Sequence, residues 1–110
     1  MKIIFNSKRI QKVVNKRKKL ARKFGHQNAR KISEIMKMLS ATDNLAEVPS
    51  KSPVNCHQLK GDKKGHFAVN VHNPYRIIFK PAEPIPRKED GGIDLERVIK
   101  INIIDIKDYH

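Results

Sequence analysis

The apolar positions of this chain change period about midway along it. Between residues 10 and 24, Ile10, Val13, Val14, Leu20, Ala21 and Phe24 recur at helical spacing with Lys and Arg between them, which predicts one helical face. Ser7 stands where an N-cap belongs, and Gly25 where a helix stops. The polar run Asn15-Lys16-Arg17-Lys18-Lys19 interrupts the stripe, so one helix and two shorter ones fit equally well. From Gln27 to Ala41, the spacing of Ala29, Ile32, Ile35, Met36 and Leu39 makes the clearest amphipathic helix. Met36 and Met38 read as core filler.

The remaining stretches read as strands and connections. Residues 2–6 alternate weakly and predict a short edge strand, and residues 42–55, with Pro49 and Pro53, predict a loop. The period then falls to two. Phe67, Val69 and Val71 alternate with His66, Ala68, Asn70 and His72, then Tyr75, Ile77 and Phe79 with Arg76, Ile78 and Lys80. With Asn73-Pro74 as the turn, these form an antiparallel hairpin, and Arg76 projects from its open face. Residues 81–97, carrying Pro84, Pro86 and Gly91-Gly92, make a long excursion. The β-branched run over 98–106 then predicts a half-buried strand leading into Asp108-Tyr109-His110. The sum is an α+β fold: a small antiparallel β-sheet with two or three N-terminal helices packed on one face, forming a single domain over 1–110.

Charge narrows the functional classes. Twenty-four Lys and Arg against 11 Asp and Glu leave a formal charge of +13, which implies an anionic partner such as nucleic acid, an acidic protein or an anionic membrane. Residues 1–33 hold twelve of those cations and no acid. A solvated helix face and an organelle transit peptide share that composition, but the segment is poor in Ser and opens on a strand that a fold would keep. No apolar stretch is long enough for a signal-peptide core or a membrane span, and the single cysteine, Cys56, suits a reducing compartment. These features place the protein in the cytoplasm, with no membrane partner.

Three groups of residues can carry chemistry. The stretch from His57 to His66 sets Gly61 and Gly65 around Asp62, Lys63 and Lys64, a basic loop whose amides and ammonium groups could accept a phosphate; a plain hairpin turn uses the same residue types. It lacks the Walker spacing. The five histidines lack the close Cys/His pairs of a structural zinc site, so no metal or other cofactor is expected. Cys56 reads as a small half-buried residue. The closing Asp108-Tyr109-His110 gathers three groups able to move or orient protons.

In combination, Leu59-Lys60-Gly61-Asp62-Lys63-Lys64-Gly65, the alternating strand, Tyr75-Arg76-Ile77-Ile78-Phe79 and the final Asp108-Tyr109-His110 resemble the HigB branch of the RelE-type toxins. The resemblance covers most of the chain and is strongest from His57 onward. It implies a RelE-like fold and a toxin of a type II toxin-antitoxin system, a ribosome-dependent endoribonuclease that cuts mRNA at the A site without metal. It also implies a helix-turn-helix, HigA-like antitoxin as partner, with operator DNA met only through that antitoxin. Catalytic roles would fall on His57, Lys60, Arg76, Asp108, Tyr109 and His110. Metal-free RNA cleavage needs a base, an acid and cations around the phosphate, and those residue types are present. RNA phosphates would be met by Lys63 and Lys64 and by Lys16, Arg17, Lys18 and Lys19 of the basic N-terminal segment. Tyr75 stands where many relatives carry tryptophan, and the excursion over 81–97 is longer than in compact members. A non-catalytic basic RNA- or ribosome-binding regulatory protein is the alternative, needing the charge but not the terminal triplet.

Overall fold

The computed structural model describes residues 1–72 and 74–108. A short strand β1 (Lys2–Phe5) leads into three helices: α1 (Lys8–Asn15), α2 (Arg17–Phe24) and α3 (His26–Ala41). The strands β2 (His57–Gln58), β3 (Phe67–Asn70), β4 (Tyr75–Pro81) and β5 (Lys100–Asp108) follow. The interrupted stripe resolves into two helices of eight residues each. Lys16 separates them with extended backbone, φ −119° and ψ 109°. Ser7 caps α1, its Oγ accepting from the Ile10 amide at 3.2 Å. Gly25 closes α2 and opens α3 at φ 87°, a left-handed conformation that favours glycine.

The sheet has five strands in the order β1-β5-β4-β3-β2. The antiparallel run expected from the sequence is its centre, and the α+β class stands. β1 does lie at an edge, but parallel to β5, with Lys2 opposite Lys100 and Phe5 opposite Ile103, so the sheet is mixed. Helix and sheet meet in one core where Leu20, Ile32 and Leu39 pack with Ile77, Phe79, Ile101 and Ile103, all fully buried. Phe67 and Phe79 are register partners and stack at 5.7 Å between centroids. The turn assigned to Asn73-Pro74 falls partly on Asn73, which lies outside the described residues.

β5 carries a bulge. Ile78 pairs with Asp105 and Phe79 with Ile103, so Ile104 has no register partner. Simple alternation would set Ile101, Ile103, Asp105 and Lys107 on one face. The extra residue instead keeps Ile101, Ile103 and Ile106 together in the core and turns Asp105 and Lys107 outward. The excursion over 81–97 is closed on itself by an Arg87–Ile93 bridge and by the Lys88 amide donating to the Gly92 carbonyl at 2.8 Å.

Burial separates two isoleucines near the start of β5 and makes a stability prediction. Ile103 is fully buried and Ile99 is 65% exposed. Ile103→Ala should destabilise by about 2–5 kcal/mol and Ile99→Ala by less than about 0.5 kcal/mol, read from urea unfolding midpoints. Equal losses would show that the core is not where the packing puts it.

Candidate functional site

Side chains of residues directly opposite one another in a sheet share a face. With the helices on one side, the register therefore lays out the other, open face in three rows. The middle row is His57, Ala68, Ile78 and Asp105. On one side of it run Asn70, Arg76 and Lys107. On the other, Lys80 stands opposite Asn102, and Leu59 is tied to this flank because its amide donates to the His66 carbonyl at 2.8 Å.

Across these rows lies an open cleft of about 220 Å³, lined by Leu59, Lys63, Ile78, Ile104, Asp105, Lys107 and Asp108. Its apolar part comes from Leu59, Ile78 and the bulged Ile104, and its charged part from two lysines and two aspartates. A hollow of about 280 Å³ beside it contains Lys60 and Lys64 and shares Leu59 with the cleft. A third, of about 200 Å³, contains Arg76 with Asn70 and Tyr75. His57, Lys60, Lys63, Lys64 and Arg76 thus gather on the open side, with Asp108 on the cleft rim opposite Tyr75.

They do not form one tight cluster. His57 is three strands from Asp105, roughly 14 Å at ordinary interstrand spacing, so the histidine and the end of β5 border the face from opposite sides. His57 is exposed, and its Nδ1 lies 2.8 Å from the Asn55 carbonyl oxygen. A carbonyl can only accept, so Nδ1 donates this bond, and in the neutral ring Nε2 is the accepting nitrogen. Tyr109 and His110 lie outside the described residues.

Some amides of the basic loop take part in the turn itself. The Lys64 amide donates to the Gly61 carbonyl at 3.0 Å and the His66 amide to the Lys63 carbonyl at 2.9 Å. Those two amides are spent within the turn, and the side chains of Lys60, Lys63 and Lys64 are exposed beside it. Gly61 and Gly65, at φ 71° and 90°, hold the turn in a conformation costly for other residues. Lys16, Arg17, Lys18 and Lys19 are all exposed at the α1–α2 junction, in the helical layer and not on the cleft face.

Sequence reasoning missed Asp105, Lys107 and the apolar trio of Leu59, Ile78 and Ile104. The aromatic support behind this end of the sheet also emerges only in three dimensions, where Phe24 of α2 meets Tyr75 edge-on at 5.2 Å between centroids.

Comparison with known proteins bears on this arrangement. The profile described as RelE-like toxin of type II toxin-antitoxin system HigB matches residues 4–85. The chain belongs to this HigB-like toxin family. The matched span includes the 59–65 loop and the Tyr75-Arg76 pair, and stops before β5. Two solved structures share the fold: the YoeB/ParE toxin from Agrobacterium tumefaciens, at 13% identity and TM-score 0.57 with both chains fully covered, and the YoeB-YefM complex from Staphylococcus aureus, at 14% identity and TM-score 0.57 with 100% of this chain and 97% of that chain covered. No curated protein matches the toxin in sequence. Among its described residues, no helix is long and apolar enough to cross a membrane.

Cys56 of the toxin borders the core, and burial pushes its thiol up from 9.0 to about 11. The folded state therefore holds a proton that the unfolded chain releases, so this stabilising contribution is intact below pH 9 and lost as pH rises toward 11. Urea unfolding of wild type and Cys56→Ala at pH 8, 9.5 and 11 should show the wild type losing ground to the variant across that window. A constant difference would mean that the thiol ionises alike in both states.

Proposed function

We propose that this toxin is a metal-independent endoribonuclease acting in the cytoplasm as one domain over residues 1–110, cutting ribosome-bound mRNA at the A site. In this reaction the ribose 2′-oxygen attacks the adjacent phosphorus and the bond to the 5′-oxygen breaks, leaving a cyclic phosphate and a 5′-hydroxyl. A base takes the 2′-hydroxyl proton, an acid protonates the leaving oxygen, and cations offset the charge that builds on the phosphate. Arg76 and Lys60 suit the phosphate, Arg76 by its forked guanidinium. His57, Asp108 and His110 are the proton-transfer and orienting groups, and Tyr109 stacks on a base or donates its hydroxyl.

The observation that carries this reading is the convergence of the 59–65 loop, Arg76 and the far end of β5 on one open sheet face, in a chain of a toxin family. The Nε2 of neutral His57 adds a proton acceptor at its border. Lys63 and Lys64 beside the cleft, and Lys16, Arg17, Lys18 and Lys19 on the helical layer, supply contacts to mRNA and ribosomal RNA phosphates. The partner is a HigA-like helix-turn-helix antitoxin through which operator DNA is met, a pairing in keeping with the YoeB-YefM complex that shares the fold.

Induced expression of wild type beside Lys60→Ala, His57→Ala and His110→Ala, with mRNA 5′ ends mapped in each, tests the reading. Wild type should arrest growth and produce new, codon-phased ends, and each variant should cut at least about 100-fold more slowly. Wild type that makes no new ends would favour the non-catalytic, ribosome-binding alternative. Undiminished cutting by all three variants would leave a ribonuclease with a different site.

A further inference from the structure

The cleft and the hollows beside it differ in charge. Lys60 and Lys64 stand in one neighbouring hollow and Arg76 in the other, whereas the cleft itself presents Asp105 and Asp108 as well as Lys63 and Lys107. A phosphate is repelled by carboxylates and drawn to the flanking cations. An apolar floor of Leu59, Ile78 and Ile104 suits the face of a flat ring. With the scissile phosphate drawn to the side chains of Lys60 and Arg76, which flank the cleft, the base adjoining it would be left over the cleft.

We infer that the cleft holds one nucleobase of the bound RNA, and that Asp105 selects a base presenting an amino group. Asp105 is turned toward the open face by its pairing with Ile78, and its Oδ1 accepts from the Ile106 amide at 2.8 Å. That bond leaves Oδ2 as a pure acceptor on a residue that lines the cleft and also borders a smaller hollow beside Arg9 and Lys23. The amino groups of adenine, cytosine and guanine can donate to it; uracil has none. Lys107, beside it and directly across from Arg76, neutralises the phosphate of the same nucleotide. The inference deepens the ribonuclease reading by naming what its site recognises next to the scissile bond.

Asp105→Asn is the discriminating variant, because the amide keeps an Oδ1 for the Ile106 bond and changes only the other atom from acceptor to donor. Methyl-labelled toxin titrated with AMP, CMP, GMP and UMP should show shifts at the methyls of Leu59, Ile78 and Ile104, with UMP binding about 3- to 10-fold more weakly than the others. In Asp105→Asn the disadvantage of UMP should disappear and AMP should become the weakest of the four, because uracil, guanine and cytosine each carry a carbonyl oxygen that accepts from the new amide and adenine carries none. Lys107→Ala should weaken all four alike, and unchanged Ile101 and Ile103 methyl signals verify that each variant is folded. Equal binding of UMP, shifts that avoid Ile78 and Ile104, or an unchanged ranking in Asp105→Asn each overturns the inference. If the ranking fails while codon-phased ends persist, base selection by Asp105 falls and the ribonuclease reading stands. If the ranking holds and no ends appear, the cleft is a base-binding site on a protein that does not cut.

Discussion

Everything the open face offers depends on how β5 pairs with β4. Seven register pairs join the two strands, and between them one residue, Ile104, is skipped. Without a place for that residue, the far half of β5 would present its other side to the helices, burying Asp105 and Lys107 and exposing Ile106. A buried unpaired carboxylate costs several kcal/mol in a domain whose total stability is of order 10 kcal/mol, so the bulge is the affordable solution. It also puts an apolar side chain where a flat strand would have none, and that side chain becomes part of the cleft floor.

The helical layer sets the rigidity of this arrangement from behind. The core isoleucines of β4 and β5 are held by Leu20, Ile32 and Leu39, and Phe24 meets Tyr75 edge-on at the end of β4 nearest Asp108. The cations of the α1–α2 junction project from this layer, away from the cleft. The chain therefore carries two basic surfaces on different sides, one local to the cleft and one suited to a large polyanion. A net charge of +13 is easier to understand as the sum of two such surfaces than as one patch.

Much of this was legible in the chain, and the limits of legibility have physical causes. Ser7, Gly25 and the stripe from Ala29 to Leu39 act through contacts within a few residues, so their roles as cap, stop and amphipathic face could be read directly. The β3–β4 hairpin was equally plain because alternation and a turn sequence agree. Parallel pairing of β1 with β5 was not, since it joins residues nearly a hundred positions apart and leaves no local signature. The Ile104 bulge was hidden for a related reason: Ile103-Ile104 reads as continued hydrophobicity unless the partner strand is known. Of the candidate site, Lys60 and Arg76 were proposed from type and context and lie in hollows beside the cleft, while Asp105 and Lys107 came into view only once the register gave their face. Composition could not show which of the loop's amides the turn itself would use, and the structure has those of Lys64 and His66 bonded within it.

The position of β5 within the sheet has a further consequence, for synthesis. It is the last strand to be made, yet it lies between β1 and β4 and contributes Ile101, Ile103 and Ile106 to the core. Until it emerges, β1 has no neighbour, and the two eight-residue helices are too short to persist alone. A nascent chain can preform the β3–β4 hairpin and α3, but neither the core nor the open face exists before β5 is inserted. The open face is thus assembled late by topology, because the strand that supplies Asp105 and Lys107 is also the one that joins β1 to the rest of the sheet.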